Sequence, residues 1–292
     1  MEAVLLGLGA ALGYGLSDFV AGVISRRVHF AIVTVIASTA AGVVSVVALL
    51  FSAAAPPPAQ ALFWGAISGL GGVFGALMLY RGLSRGRMGV VAPLSALGAA
   101  VLPVIVGVVV REDRPSVPAW AGVALALPAI WLVSTSTTLP EPEPQTARPP
   151  AARLAEGVID GLLAGMGFAL MFIGFGLAGE GAGLWPVVAA QVSSILLVVI
   201  VLIGTLLRLE HRRPRSRDLG GAVVVGLLGG VANILYLWST RAGLLSIVAV
   251  ITSLYPAATV VLSAVVLHEP IVRRQLVGLV FAAAAVVLIV LG

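Results

Sequence analysis

A carboxylate inside apolar sequence is the feature of this chain with the clearest chemical potential. Asp18 is the one acidic residue well inside an apolar stretch, and Tyr14 and Ser17 lie within one turn of it if that stretch is a helix. A carboxylate at such a depth is costly unless it is paired or faces water. Asp18 is therefore a candidate for contacting a cationic group or for carrying a proton.

Two interpretations of Asp18 are open. Arg81 closes a later apolar stretch, and a static Asp18–Arg81 ion pair would tie two helices together. Alternatively, Asp18 faces an internal aqueous space, where Tyr14 and Ser17 could hydrate or hydrogen-bond the carboxylate. We favour the second interpretation.

A second cluster of polar and aromatic side chains lies late in the chain. Its members are Asn233, Tyr236, Trp238, Thr252 and Tyr255. Helical spacing places Asn233 and Tyr236 on one face. Trp238 lies near the end of its apolar stretch, where an aromatic ring also serves as an interfacial anchor in membrane proteins.

Other polar residues favour structural roles. Glu112 and Glu269 lie at helix ends and are interpreted as caps, and Asp160 as a partner of a helix dipole. The chain has no Cys, and its 3 His are scattered between apolar stretches. We expect no metal site and no cofactor.

The composition indicates the elements that must hold these residues. Of the 292 residues, 60% are hydrophobic and only 10% are charged, whereas a soluble domain has about 25% charged residues. The chain has 17 basic residues, all Arg, against 12 acidic ones. These numbers favour an integral membrane protein over a soluble nucleic-acid-binding protein.

Ten apolar segments are long enough to cross a bilayer as helices, which require about 20 residues each. They are Ala3–Val23, Phe30–Phe51, Leu62–Tyr80, Met88–Val110, Val117–Ser136, Gly157–Ala178, Leu184–Leu207, Leu219–Ser239, Leu245–Leu267 and Ile271–Leu291. Because lipid offers no partners to free amides and no period-2 alternation is present, we predict an all-α fold. Pro93, Pro103 and Pro256 are expected to kink helices four and nine.

A polar, Pro-rich segment divides the spans five and five. It covers residues 138–156, between a first unit at 1–137 and a second at 157–292. Shifting the first half by 157 positions brings Gly69 onto Gly226 and Glu112 onto Glu269 without a gap. A duplicated unit of five spans must be inverted relative to its copy. Small-xxx-small spacings such as Gly71/Gly75 predict close helix packing, with helices one, three, six and eight around a cavity.

Arg residues are distributed unequally between the two sides. Loops on the side of the chain ends hold three Arg, and those on the other side hold fourteen. The positive-inside rule therefore predicts that the 207–218 loop is cytoplasmic in the cell membrane and that both ends are outside.

The segment GVVAPLSALGAAVLPVIVGVVVRED (89–113) resembles the end of a repeat in the EamA family of the drug/metabolite transporter superfamily. SIVAVITSLYPAATVVLSAVVLHEP (246–270) is a closer match, and GYGLSDFVAGVISRR (13–27) resembles a family first helix. The resemblance implies a ten-helix inverted-repeat carrier with a pathway lined by helices one, three, four, six, eight and nine. It also implies cytoplasmic termini, opposite to the Arg count. Asp113 occupies a position where Arg is common in the family.

The resulting hypothesis is a secondary transporter that exports a small polar metabolite or drug-like molecule by alternating access. Its expected partners are this solute and the lipid bilayer, with protons as a candidate coupling ion and no nucleic acid. The alternative is a non-transporting scaffold or lipid-handling subunit. No HExxH motif, paired interior carboxylates or P-loop occur, which argues against a membrane enzyme or an ATP-driven pump.

The orientation can be tested by cysteine labelling, because the native chain has no Cys. We expect Ser216→Cys to stay unlabelled by an impermeant maleimide in intact cells and to react after permeabilisation. Labelling in intact cells would place this loop outside and the termini in the cytoplasm.

Overall fold

The helices of the protein were determined from a computed structural model that describes residues 1–25, 28, 30–52, 56–84, 88–134, 150–206, 216–268 and 270–292. Eleven helices occur in these residues. They are α1 (Glu2–Ser25), α2 (Phe30–Leu50), α3 (Ala59–Ser84), α4 (Met88–Val110), α5 (Val117–Ser134), α6 (Pro150–Leu177), α7 (Trp185–Leu206), α8 (Ser216–Ala242), α9 (Leu245–Thr252), α10 (Tyr255–Val266) and α11 (Arg273–Leu291).

These helices form ten segments that are long and apolar enough to cross a membrane, which confirms the predicted number of spans within the described residues. Their outer faces carry large exposed apolar side chains, such as Leu196, Ile200 and Ile203 on α7. Such a surface suits contact with lipid, whose hydrocarbon does not penalise apolar exposure.

The ninth span is not one helix, because it divides into α9 and α10 at residues 253–254. Pro256 lies in the first turn of α10 and has no N–H to donate to the carbonyl of Thr252. The N–H of Ser253 bonds the carbonyl of Ala249, and that of Leu254 bonds Ile251. The expected kink is thus a complete break here, whereas α4 continues through both of its prolines.

The two halves pack as inverted copies. Gly69 on α3 lies against the backbone carbonyl of Ala190 on α7. Its counterpart Gly226 on α8 lies against the carbonyl of Ala37 on α2. Each half therefore supplies the third helix of its repeat to the second helix of the other, which is the reciprocal contact that inverted repeats produce.

Both chain ends lie on one face of the helical bundle. Ser239, near the end of α8, donates a hydrogen bond to the carbonyl of Ala3 at 2.6 Å. Gly292 lies beside Ser116 and Ala119 at the start of α5. We call this side the terminal face and the other side the opposite face.

The second repeat begins earlier than the sequence indicated. α6 starts at Pro150, inside the segment expected to be a linker. Proline is favourable at a helix start, and the Ala-Ala-Arg-Leu-Ala-Glu that follows consists of good helix formers. Asp160 therefore lies about three turns into α6, not in its first turn. Residues 135–149, the loop at 207–215 and Glu269 lie outside the described residues.

The close approach of α3 and α6 leaves no space for a side chain at Gly167. A Cβ at Gly167 would collide with the backbone of Gly75 on α3, whereas a Cβ at Gly22 on α1 meets nothing within 4 Å. We expect Gly167→Ala to lower the melting temperature, at a cost of about 1–3 kcal/mol for overpacking. Gly22→Ala is the control and should be neutral or slightly stabilising, because alanine favours a helix. Equal melting temperatures for the two variants would contradict this packing.

Candidate functional site

A partly open cavity lies at the interface of the two halves. Its volume is about 200 Å³, and its walls come from α1, α2, α3, α6, α7 and α8. Phe168, Met171 and Phe175 of α6 form an apolar side, and Gly69 and Gly226 lie on the walls of α3 and α8. The predicted helices one, three, six and eight thus surround it. Helices α2 and α7 complete its described lining, and the fourth and ninth spans do not contribute to it.

Helix α9 lies away from this cavity because it is completely buried elsewhere. Each of its eight residues, Leu245–Thr252, is buried. Val250 and Ile251 pack with Ala100 of α4, Val4 of α1 and Ala126 of α5 in one apolar cluster. The fourth and ninth spans therefore build the core beside the cavity.

Tyr14 and Asn233 meet at the cavity. The Tyr14 hydroxyl on α1 donates a hydrogen bond to Oδ1 of Asn233 on α8, and both residues line the cavity. The Nδ2 group of Asn233 has no hydrogen bond to any residue in the described part of the chain. This bond joins the two halves and leaves the two N–H donors of the Asn233 amide for other contacts.

Three of the serine hydroxyls around the cavity are engaged by backbone carbonyls of neighbouring helices. Ser17 donates to Val225 at 3.0 Å, Ser68 to Met171 at 2.8 Å and Ser194 to Gly69 at 3.0 Å. Each bond connects one repeat to the other. These hydroxyls therefore contribute to helix association more than to binding.

Gln191 on α7 is a cavity residue that the sequence analysis did not single out. Its side chain is only 6% exposed and lines the cavity. In the described part of the chain, the Gln191 amide forms no hydrogen bond. Its polar atoms are not fully enclosed. It therefore remains accessible from the cavity. The sequence signal for Gln191 was a polar side chain within an apolar span. Asp18 was identified because polar groups inside a membrane span are costly and often functional.

Asp18 and Arg81 do not form a pair. Arg81 instead donates to Oδ1 of Asp160 on α6 from Nε at 3.0 Å and from a terminal guanidinium nitrogen at 2.6 Å. Asp18 is exposed, lies one turn from Tyr14 and does not line the cavity. In the described part of the chain it forms no ion pair.

The remaining predicted residues lie outside the cavity lining. Tyr236 is fully buried and stacks on Phe172, with ring centroids 4.5 Å apart. Trp238 is 45% exposed at the bundle surface. Thr252 is buried in α9, and Tyr255 begins α10. Of the nine predicted residues, the cavity thus brings together Tyr14, Ser17 and Asn233.

The connection between α4 and α5 binds the second repeat at the terminal face. Arg111 donates to the carbonyls of Gly176 near the end of α6 and Thr240 near the end of α8, at 3.3 and 3.2 Å. A cation at two helix C-termini is favourable because both dipoles place negative charge there. Arg111 thus joins α4 to both of these helices.

Asp113 extends the same connection to a third helix. Its Oδ2 accepts the backbone N–H of Ser246 in the first turn of α9 at 2.8 Å, and its side chain is only 7% exposed. The turn between Arg111 and Asp113 places Glu112 at φ 56°, in the left-handed region. We call Arg111–Asp113 the terminal-face clasp. Its counterpart at the opposite face is the Arg81–Asp160 pair, which also joins the two repeats.

The cavity itself is uncharged. Arg, Asp and Glu are absent from its described lining, and the clasp and the Arg81–Asp160 pair occupy the two ends of the bundle. Within the described residues, no group of three His, Cys, Asp or Glu side chains could hold a metal ion. Hydrogen-bonding and apolar surface are therefore what this site offers a ligand.

Comparison with known proteins identifies the family. Residues 1–135 and 155–291 match the EamA-like transporter family. An uncharacterised protein of Methanocaldococcus jannaschii is 26% identical over 139 residues, which cover 46% of this chain and 97% of that protein. A crystal structure of another protein aligns with a TM-score of 0.74 over 99% of this chain and 96% of that one, and at 17% identity it shows the fold alone. With family matches over nearly its whole length and ten helices that can span a membrane, the protein is a multi-pass member of the EamA-like transporter family.

Proposed function

We propose that this protein is a secondary transporter that exports a small molecule across the cell membrane by alternating access, with the central cavity as its solute site. The observation that carries the proposal is the position of the cavity, which lies at the interface of two inverted halves. Binding sites of inverted-repeat transporters lie near the bilayer midplane at the repeat interface. The direction of export is supported by the resemblance to drug and metabolite transporters.

The contacts between the halves suit a protein with two alternating gates. The clasp joins the repeats at the terminal face, and Arg81–Asp160 joins them at the opposite face. Both contacts are present together, and alternating access would require them to open one at a time. Ion pairs and caps of this kind can exchange partners with water at a bundle end, where hydration compensates the lost bond.

The gates can be tested by labelling a cysteine placed in the cavity. Ser38 lines the cavity on α2, and the native chain has no Cys. In Ser38→Cys proteoliposomes of defined orientation, adding Asp113→Ala should increase maleimide labelling from the terminal face severalfold, because the N–H of Ser246 loses its acceptor. Adding Arg81→Gln with Asp160→Asn should increase labelling from the opposite face, since this double change leaves no lone charge.

The control for the first variant is Asp113→Asn, whose amide oxygen can still accept the Ser246 N–H. It should label like the Ser38→Cys parent. If both gate variants changed labelling equally from both faces, the contacts would be general stabilisers and the two-gate mechanism would be wrong.

Replacing each aspartate with asparagine separates the role of Asp18 from that of Asp160. Asp160→Asn should lower the melting temperature, because the amide oxygen can still accept from Arg81 but the negative charge that balances the guanidinium is lost. Asp18→Asn should melt like the native protein, because Asp18 has no ion pair in the described part of the chain. In proteoliposomes, with a solute found by a thermal-stabilisation screen, Asp18→Asn should transport without dependence on a pH gradient. A variant that remains fully proton-coupled would exclude Asp18 as the coupling residue.

A non-transporting scaffold or lipid-handling subunit predicts a different result from the same screen. Such a protein would be stabilised by lipids, and no solute would exchange across the proteoliposome membrane. That outcome would overturn the proposed function.

A further inference from the structure

In the described part of the chain, the cavity groups without a full set of hydrogen-bond partners are the amides of Gln191 and Asn233 and the short hydroxyl of Ser38. The Gln191 amide of α7 has no partner among the described residues, and Asn233 of α8 uses only Oδ1, for Tyr14. The hydroxyls of Ser17, Ser68 and Ser194 already donate to backbone carbonyls. An amide side chain carries a donor and an acceptor and no charge.

The absence of charge in the described lining restricts what can bind. A carboxylate, phosphate or ammonium group would lose part of its hydration in the cavity without meeting an opposite charge, which is unfavourable. The guanidinium groups of Arg81 and Arg111 are engaged at the two ends of the bundle. Asp18, a candidate counter-ion for a cation, does not line the cavity. The chemistry therefore favours an uncharged ligand.

The remaining surface favours a flat apolar body. Phe168, Met171 and Phe175 provide two rings and a thioether along one side, and such groups pack well against aromatic faces. The volume of about 200 Å³ is below the range of roughly 300–1,000 Å³ typical of sites for drug-sized ligands. The space suits a single small ring with one substituent.

Building on the proposed function, we propose that the cavity binds a small, uncharged aromatic carboxamide or lactam, and that Gln191 determines this specificity. A carboxamide presents a donor and an acceptor side by side, so it can form two parallel hydrogen bonds with the Gln191 amide. Glutamine and asparagine recognise the adjacent donor and acceptor of adenine in the same manner. A carboxylate offers only acceptors and an ammonium only donors, and neither completes this pair.

The residue of the first repeat that is equivalent to Gln191 is not an amide, so only one wall of the cavity can recognise a carboxamide in this way. Ala37 and Ala190 make corresponding contacts with Gly226 and Gly69, so Ser38 is the counterpart of Gln191. Both residues line the cavity. The amide is thus presented by α7, and the facing position on α2 carries only a short hydroxyl.

Three ligands that share one ring can test this inference. Benzamide, benzoate and benzylammonium are neutral, anionic and cationic at pH 7, with nearly the same size. We expect benzamide to raise the melting temperature of the purified protein and the two ions to raise it less at equal concentration. In Gln191→Leu the benzamide affinity should fall about tenfold, which corresponds to the loss of about one to two hydrogen bonds.

Two further variants control for folding and for charge. Gln60→Leu changes an exposed glutamine at the start of α3 and should bind benzamide like the native protein. Gln191→Glu places a carboxylate at the same position and should shift the preference to benzylammonium, which also shows that the site is intact. Equal shifts with the three ligands, no shift with benzamide, or an unchanged preference in Gln191→Leu would each overturn the inference.

Flux measurements separate this inference from the proposed function. If proteoliposomes exchange only charged solutes, the protein is a transporter and the proposed ligand class is wrong. If benzamide binds through Gln191 but no solute crosses, the ligand class is correct and the transport function fails.

Discussion

Backbone-to-backbone contact between helices is the constraint on which this structure depends. Helices in a bilayer gain nothing from hiding apolar surface from one another, so they associate through close packing and interhelical hydrogen bonds. Gly167 lies against the backbone of Gly75, and Gly13 on α1 against Ala232 on α8. Only at such short spacing can Ser68 or Ser194 reach a carbonyl on the other repeat.

The charged groups follow from the same environment. In mid-bundle, an ion lacks both water and a rigid counter-ion, whereas at a bundle end it can bind helix termini. Arg111 and Asp113 use this opportunity at three different helices, with opposite charges matched to opposite dipole ends. The left-handed backbone of Glu112 is the local strain that accompanies this turn. The family resemblance associates position 113 with arginine, which could not accept the N–H of Ser246.

The fold was largely predictable from the sequence, and the site only in part. Bilayer thickness determines helix length, so ten spans could be counted from hydropathy, and the duplicated glycines indicated the inverted halves. Side-chain partners were not predictable in this way, because they depend on which helices are neighbours. A pair between Arg81 and Asp18 was one of two interpretations of the sequence, but α3 packs beside α6, which brings Asp160 within 2.6 Å of Arg81. Tyr236 and Thr252 looked like site residues from their polarity, but the helix rotation buries them. The uncharged amide of Gln191 stands out less in an apolar sequence than a charged side chain does. At Pro256 the span divides into two helices, whereas the sequence indicated only a kink.

The difference between Ser38 and Gln191 determines in which orientation a molecule binds. Two identical halves would place the same hydrogen-bonding group on both walls, and a bound molecule could lie in either of two orientations related by the pseudo-twofold axis. In this chain the amide faces the cavity from α7 and a shorter hydroxyl from α2. The two orientations therefore differ in energy, and a solute would be held with one end toward a given wall throughout its passage.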